Sequence, residues 1–211
     1  MNKDLPIVLG ITGASGAIYG YRILEFLLQN GYKVDLVLSD NSLKVAAAEL
    51  SFHLPQSNLL DKAQLILNQI NSEAYSANLQ IWDHTNVAAA ISSGSYKTQG
   101  MIIAPCSMGT IGNIASGTSN NLITRAADVI IKERRKLVLV ARETPLSTIH
   151  LRNMLALSES GVVVLPAAPG FYHQPQSIDD LVNFIVGKTL DVFGVENSSF
   201  KRWLGERYNE L

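Results

Sequence analysis

Residues 10–17 (GITGASGA) have the composition of an anion-binding turn between a strand and a helix. Glycines let the backbone approach a phosphate closely, the helix N-terminus offers unpaired N–H groups, and Ser15 adds a hydroxyl donor. The alternative is a tight strand–helix turn that binds nothing. We favour anion binding, because such turns recur as phosphate sites in α/β enzymes.

The spacing of the glycines argues against a dinucleotide site. Gly10, Gly13 and Gly16 are three residues apart, whereas the fingerprint G-x-G-x-x-G places its first two glycines closer together. Asp40 lies just past the second predicted strand, so NAD binding stays an alternative. However, Ser39 occupies the strand end itself, where an acid that binds the ribose of NAD would be expected. NAD binding is therefore the weaker alternative.

A cation and an acid, Arg142 and Glu143, directly follow the apolar segment 137–141. In a parallel sheet this is the edge where ligands bind. The loop after the last predicted strand holds Tyr172, whose hydroxyl could donate a hydrogen bond to an anion. Together with Lys132, these residues predict a second anion site formed by Arg142, Lys132 and Tyr172.

Arg125 and Lys132 stand seven residues apart on a predicted helix over 120–133 and so share about the same face. Taken alone, they would be interpreted as a solvated stripe. The basic run 132–136 (KERRK) ends this helix and is interpreted as a solvated C-terminal cap.

Three further features carry little functional signal by themselves. Ser92, Ser93, Gly94 and Ser95 form a small polar cluster that is typical of a loop. Cys106 has no neighbouring His and is interpreted as a small buried hydrophobe rather than a nucleophile. We predict no metal, because metal-ligand spacing is lacking among the four histidines, His53, His84, His150 and His173.

Short β-branched segments alternate with longer helical ones, which indicates a parallel sheet covered on both faces. We predict one doubly wound α/β domain over 1–211, a three-layer sandwich of the Rossmann or flavodoxin-like type. Its core covers about 5–193, and in the tail 194–211 we expect a last helix over 198–211. The predicted strands are 5–11, 33–38, 79–82, 100–104, 137–141 and 162–165; the predicted helices are 16–30, 41–50, 108–115, 120–133, 147–160 and 179–193, with a loop and a helix within 53–78.

The amino-acid composition indicates which kinds of partner the chain is expected to have. Charged residues make up 17% and hydrophobic ones 47%, against about a quarter charged in typical soluble proteins, which favours a homo-oligomer with much of its surface in subunit contacts. The formal charge of −1 gives no electrostatic reason to expect nucleic acid. We expect no membrane span, and one cysteine fits a reducing compartment, so we expect a cytoplasmic protein.

Five motifs, taken in order, resemble the UbiX-like flavin prenyltransferases. They are GASGA with Tyr19, SSGS at 92–95, RAAD with KERR at 125–135, RETPL at 142–146 and PGFYHQP at 169–175. The resemblance runs from about 7 to 193 and implies a flavodoxin-like FMN-binding fold in a large homo-oligomer, often a dodecamer. It also implies the transfer of a dimethylallyl group from dimethylallyl phosphate to N5 and C6 of reduced FMN, giving the prenylated flavin that UbiD-type decarboxylases use.

The resemblance also implies roles for individual residues. FMN would be bound by Gly13, Ala14, Ser15, Ser39, Ser92, Ser93, Gly94, Ser95 and Arg125. The substrate phosphate would be bound by Lys132, Arg142, Glu143, Tyr172 and Lys188. The catalytic set would be Glu49, Lys132, Glu143 and Ser15, and Trp203 resembles an aromatic residue that closes over the site. Two positions depart from the family pattern, Lys188 where Arg is common and Asn120 where an acid is frequent, and the first replaces a bidentate fork by a point charge.

The implied chemistry needs no metal, since Lys132, Arg142 and Lys188 could neutralise the leaving phosphate. The proton released at C6 could go to Glu143, to Glu49 or to the phosphate, and the sequence leaves these three open. Two alternatives are an FMN-dependent cysteine decarboxylase of the same superfamily and a non-enzymatic FMN-delivery protein. The first would carry a P-x-M-N segment that this chain lacks, and the second would need only the FMN-binding set.

Overall fold

The computed structural model describes residues 2–53 and 58–203, and at its centre is one sheet of parallel strands. The strands are β1 (Ile7–Ile11), β2 (Val34–Leu38), β3 (Leu79–Trp82), β4 (Gly100–Cys106), β5 (Lys136–Ala141) and β6 (Val163–Pro166). Their order is β3-β2-β1-β4-β5-β6, which is the order of the Rossmann fold. The doubly wound α/β architecture predicted from the sequence is confirmed.

Helices cover both faces of this sheet. They are α1 (Ala17–Gln29), α2 (Asp40–Leu50), α3 (Leu59–Gln69), α4 (Met108–Ala115), α5 (Leu122–Lys132), α6 (Thr148–Glu159) and α7 (Ile178–Phe193). Buried side chains of α1, α2, α3 and α7 pack into one core cluster, and those of α4, α5 and α6 pack into a second cluster on the opposite face.

The central strand β4 shows why the strands are continuously apolar. Ile102 and Ala104 belong to the core cluster under α1, whereas Met101 and Ile103 belong to the cluster under α5. All four are completely buried, because helices cover both faces of the sheet. Burying one large aliphatic side chain stabilises the fold by about 1.5–3 kcal/mol, so these strands anchor the loops at their ends.

The predicted end of the fourth strand at Pro105 is wrong, since β4 runs on to Cys106. The register against β5 shifts between Ile103 and Cys106, and proline is tolerated at such an irregularity because no ladder N–H is needed there. The Pro105 carbonyl accepts hydrogen bonds from the N–H (3.2 Å) and the hydroxyl (2.8 Å) of Thr12. These bonds join the end of β4 to the loop after β1.

Two less regular regions complete the described chain. The loop and helix expected within 53–78 correspond to α3 and to a 3-10 turn at Glu73–Asn78. The last helix expected over 198–211 is not formed at 198–203, where the chain is held against α7 instead; residues 204–211 lie outside the described part. None of the helices in 2–53 and 58–203 is long and apolar enough to cross a bilayer.

Candidate functional site

Two loops meet at the carboxyl edge of the sheet between β1 and β4, where the strand order reverses. The Thr12 hydroxyl, after β1, accepts a hydrogen bond from the N–H of Ser107, after β4, at 2.9 Å. Ligands of doubly wound sheets bind at such a switch point. The predicted anion-binding turn at 10–17 therefore lies where the fold favours a ligand.

The N-terminus of α1 already holds an anion from the chain itself. The Glu49 carboxylate, near the end of α2, accepts hydrogen bonds from the N–H groups of Gly16 at 2.9 Å and Ala17 at 3.0 Å. The expectation of unpaired N–H groups at this helix end is therefore wrong for these two. Ser15 is exposed beside them and Ala14 is buried, so Ser15 stays the candidate donor for an external anion.

The turn packs closely on the start of α2. A β-carbon on Gly13 would lie 2.5 Å from the β-carbon of Asn41, so a larger residue would push the two elements apart. Ser39 is the N-cap of α2, and its hydroxyl accepts from the N–H of Ser42 at 3.2 Å. The Ser39 N–H donates to the Ile11 carbonyl at 3.1 Å, which places Ser39 beside the turn. Its hydroxyl proton is available to a ligand.

Tyr19, in the first turns of α1, connects this site to the loop after β5. Burial raises the pKa of Tyr19, the Arg142 guanidinium lowers it, and the Glu49 carboxylate raises it. The hydroxyl therefore stays protonated at neutral pH and lies within electrostatic range of a cation and a carboxylate from two other elements. The sequence predicted no role for Tyr19 beyond its place in a motif, because the partners come from distant parts of the chain.

Arg142 and Glu143 lie exposed directly after β5, as the sequence predicted. The Arg142 N–H donates to the Cys106 carbonyl at 3.3 Å, which joins this loop to the end of β4. The Glu143 carboxylate accepts from the N–H of Thr144 at 3.0 Å. The backbone of Arg142 and the carboxylate of Glu143 are thus held at the carboxyl edge, and both side chains remain accessible to a ligand.

The tail after α7 places an aromatic side chain on the loop after β6. Trp203 meets Tyr172 edge to face, with ring centroids 5.9 Å apart and an interplanar angle of 73°. Tyr172 also contacts Phe184 of α7, with centroids 5.8 Å apart. Tyr172 is 48% exposed and Trp203 66% exposed, so this aromatic pair offers an open apolar surface.

Lys132 lies at the opposite, amino edge of the sheet. It is the last residue of α5, which precedes β5, whereas Arg142 follows β5. The six residues of β5, at about 3.3 Å each, separate the two edges by roughly 20 Å. A single chain therefore does not bring Lys132 and Arg142 together. The sequence already indicated this separation, because the predicted strand 137–141 lies between the two residues.

The polar loop at 92–95 lies beside Lys132 at this amino edge. A β-carbon on Gly94 would lie 2.7 Å from the Lys132 ammonium nitrogen and closer still to the Glu133 carboxylate, with which Lys132 forms an ion pair. That ion pair lowers the pKa of Glu133. The remaining residues of the loop are half-buried or exposed, namely Ser92, Ser93 and Ser95.

The last two cations expected in the site lie on helices. Arg125, in the first turns of α5, pairs with Asp128 at 2.8 Å. Lys188 is exposed on α7, ten residues after its start and hence about 15 Å along it. The pKa of the neighbouring Asp191 is lowered mainly by a hydrogen bond from Arg202 and to a smaller extent by Lys188.

The basic run 132–136 is not a solvated cap throughout, and that prediction is wrong for Arg135. Arg135 is half-buried and donates to the carbonyls of Gly94 and Tyr96, each at 2.7 Å. The Lys136 ammonium donates to the Val192 carbonyl at 2.7 Å. The run ends where the chain turns into β5, and there it meets the loop before β4 and the end of α7.

Neither a nucleophilic thiol nor a metal cluster adds to this site. Cys106 is completely buried, which raises the pKa of its thiol and confirms its interpretation as a small core residue. Across the described residues 2–53 and 58–203, His, Cys, Asp and Glu side chains form no group of three that could hold a metal ion.

Comparison with known proteins agrees with the sequence motifs. The sequence model of the Flavoprotein family matches residues 1–190. The flavin prenyltransferase UbiX of Alkalihalophilus pseudofirmus is 49% identical over 93% of this chain and 95% of that protein. The crystal structure of AnUbiX (PadA1) in complex with FMN and dimethylallyl pyrophosphate is 39% identical, with a TM-score of 0.82 over 96% of this chain and 99% of that one. A dodecameric FMN-dependent UbiX-like decarboxylase from Escherichia coli O157:H7 is 40% identical, with a TM-score of 0.81 over 95% of this chain and 100% of that one.

Proposed function

The chain belongs to the UbiX flavin prenyltransferases of the Flavoprotein family, and we propose on this basis that it transfers a dimethylallyl group from dimethylallyl phosphate to reduced FMN. One structural observation carries the proposal: the side chains expected to bind the two ligands are exposed at the two edges of a single sheet. They are Ser15, Arg142, Glu143 and Tyr172 at the carboxyl edge and Ser93, Ser95 and Lys132 at the amino edge.

The donors at these edges suit a flavin nucleotide. The exposed hydroxyls of Ser15, Ser93 and Ser95 and the guanidinium of Arg125 match the phosphate and carbonyl acceptors of FMN. Gly94 brings the backbone of the serine loop against the charged ends of Lys132 and Glu133. Gly13, Ala14 and Ser39 shape the opposite turn. When bound, reduced FMN supplies the electron-rich atoms, N5 and C6, that receive the dimethylallyl group.

The phosphate of the second substrate is neutralised by side chains. Arg142 offers a planar fork for two phosphate oxygens, Lys132 and Lys188 offer point charges, and the Tyr172 hydroxyl donates a further hydrogen bond. Charge that develops on the leaving phosphate is stabilised by donors already in place. The faces of Tyr172 and Trp203 line the apolar side, where an allylic cation is stabilised and shielded from water.

Two carboxylates are candidates for the group that takes the proton. Glu143 is exposed beside Arg142, and Glu49 lies at the start of α1 next to Ser15, with Tyr19 responding electrostatically to both Arg142 and Glu49. A general base must lie within hydrogen-bonding distance of the proton it takes. We assign the proton transfer to Glu143, because its carboxylate makes a single local hydrogen bond, whereas that of Glu49 bonds two N–H groups of α1.

Assembly of the site requires more than one copy of the chain, since Lys132 and Arg142 lie at opposite edges. In the proposed homo-oligomer, the amino edge of one copy supplies Lys132 and the serine loop to the carboxyl edge of its neighbour. Near Arg142, α6 exposes Ile149 (66%), Leu151 (51%) and Leu155 (59%), an apolar surface that suits contact with another copy. The E. coli O157:H7 relative is dodecameric, which supports a large assembly here.

The shared site can be tested by complementation. One copy carries Glu143→Gln, the other carries Lys132→Met, and the two are co-expressed with different affinity tags and purified as mixed oligomers. Because each neighbour supplies the edge that the other lacks, the mixed oligomers should make product although each variant alone is nearly inactive. In the control, Glu143→Gln is mixed with Glu143→Gln/Lys132→Met, which leaves every site defective. Mixed oligomers as inactive as this control would contradict a site shared between copies.

The reaction itself is tested by anaerobic incubation of the protein with reduced FMN and dimethylallyl phosphate, followed by mass spectrometry of the flavin. A mass gain of one five-carbon unit is expected. Unchanged flavin with oxidative decarboxylation of a cysteine substrate would identify the cysteine decarboxylase alternative instead. Tight FMN binding without any reaction would identify an FMN-delivery protein.

Two broader expectations follow from the same proposal. The prenylated flavin leaves the site for a UbiD-type decarboxylase, which uses it as a cofactor. We place the reaction in the cytoplasm, where the single cysteine, Cys106, is consistent with a reducing environment.

A further inference from the structure

We infer that Arg135 and Asp35 are positioning residues that hold the loop 92–96 and Lys132 in one fixed arrangement. FMN and the substrate phosphate are thereby bound in fixed positions relative to each other. This inference rests on the proposed function, which assigns the serines of the loop to FMN and Lys132 to the phosphate. Neither Arg135 nor Asp35 is expected to touch a ligand.

Arg135 holds the loop from the side of α5. Its two terminal nitrogens donate to the carbonyls of Tyr96 and Gly94, each at 2.7 Å, and one of them also approaches the Thr98 hydroxyl at 3.3 Å. Hydrogen bonds from a charged donor are about twice as strong as neutral ones, and the planar guanidinium sets the angle between the two carbonyls. Lysine would keep the charge but lose this fork.

Asp35 holds the same loop from β2, the strand next to the edge strand β3. It is an aspartate in β2 that is only 2% exposed, and it accepts hydrogen bonds from the Tyr96 hydroxyl at 3.0 Å and the Trp82 indole N–H at 2.7 Å. Burial raises the pKa of Asp35, and these two hydrogen bonds oppose the rise. A buried carboxylate persists where donors satisfy both oxygens, and here one donor belongs to the loop.

The loop 92–96 and the Lys132 ammonium are also in direct contact. Arg135 follows Lys132 by three residues, and Gly94 lies against the charged ends of the Lys132 and Glu133 side chains. A shift of the loop that loosened FMN would also displace the ammonium that meets the phosphate. Reactive groups must be held to within about 0.5 Å of their productive positions, which gives such a support a direct effect on the rate.

The experiment compares Arg135→Lys and Tyr96→Phe with the matched control Arg134→Ala, which removes an exposed cation next to Arg135. The dissociation constant of FMN is measured by flavin fluorescence, and KM and kcat for dimethylallyl phosphate are measured at saturating FMN. For Arg135→Lys we expect roughly tenfold weaker FMN binding and a KM raised by a similar factor, about the effect of one charge-assisted hydrogen bond. Tyr96→Phe should shift both constants in the same direction, and Arg134→Ala should change each by less than about twofold.

Chemical rescue separates positioning from general stability. In Arg135→Ala, added guanidinium ion should restore much of the FMN affinity, whereas the same concentration of sodium ion should not. If Arg135→Lys and Tyr96→Phe lower only the melting temperature and leave the dissociation constant and KM unchanged, the inference is wrong. If the wild-type protein binds FMN but makes no prenylated product, the proposed function fails while the FMN affinities still decide the role of Arg135.

Discussion

The Glu49 carboxylate lies 2.9 Å from the Gly16 nitrogen and 3.0 Å from the Ala17 nitrogen, so a side chain of α2 caps the first turn of α1. Acids are favoured at helix N-termini by the unpaired N–H groups and by the helix dipole. Glu49 therefore has two tasks, one in the stability of the α1 turn and one in the proposed site next to Ser15.

These two tasks can be separated with Glu49→Gln. The amide oxygen still accepts a hydrogen bond but the charge is lost, so the free energy of unfolding should fall by only about 0.5–1 kcal/mol. Product formation should fall by a much larger factor, because Glu49 belongs to the catalytic set that the family resemblance implies. Urea unfolding and the anaerobic prenylation assay measure the two effects. A loss of activity no greater than the loss of folded protein would show that Glu49 is structural alone.

Glu143→Gln should leave FMN binding unchanged and slow product formation, because the assigned role of Glu143 is to accept a proton. Ser15→Ala should instead weaken FMN binding, by about 1 kcal/mol, which is the contribution of one hydrogen bond. Flavin fluorescence titration and single-turnover formation of the prenylated flavin distinguish the two variants. If Glu143→Gln loses its flavin, then Glu143 binds the cofactor and another group takes the proton.

The tail that carries Trp203 should detach from α7 in acid. Arg202 donates to both oxygens of Asp191, at 2.7 and 2.8 Å, and this bond lowers the pKa of Asp191. A carboxyl group with a lowered pKa contributes stability above its usual value of about 4, and this contribution is lost as the pH falls through the lowered pKa. Detachment is therefore expected below about pH 4, and in Asp191→Asn at every pH.

Trp203 emission, taken as the difference between the protein and its Trp203→Phe variant, reports this detachment. The control is Asp179→Asn, which removes a different surface ion pair, that of Asp179 with Arg22 at 2.9 Å. It should leave the Trp203 signal and its pH dependence unchanged. Identical pH curves for Asp191→Asn and the wild-type protein would mean that the Arg202 contact does not hold the tail.

Gly20 should be intolerant of substitution, because α1 passes very close to β4 at this point. A β-carbon there would lie 2.8 Å from the Ile11 side chain and nearer still to the Ala104 carbonyl oxygen. Gly20→Ala should lower the free energy of unfolding by about 1–3 kcal/mol. Gly109→Ala, in a helix position with open space, should instead raise it by up to about 1 kcal/mol. Urea unfolding midpoints of the two variants test this contrast.

The regular elements were predictable because their residues carry the pattern locally. Buried parallel strands such as β5 are continuous apolar segments, and their ends are marked by polar residues or glycine. The end of β4 at Pro105 was mispredicted, since the register shift that admits proline depends on the neighbouring strand. At 198–203 the expected helix does not form for a similar reason, because Arg202 bonds to Asp191 of α7 instead of extending a local turn.

The candidate site likewise has features that the sequence predicts and features that only the tertiary structure shows. The sequence by itself determined which side chains could meet phosphate and flavin, because residue types such as those of Arg142, Glu143 and Tyr172 at strand ends carry that chemistry wherever the fold places them. The tertiary structure alone decided that Glu49 caps α1, that Arg135 holds the serine loop, and that Lys132 faces the opposite edge from Arg142. Such relationships join groups that are distant along the chain, and their distances are set by how helices pack on the sheet rather than by any local pattern.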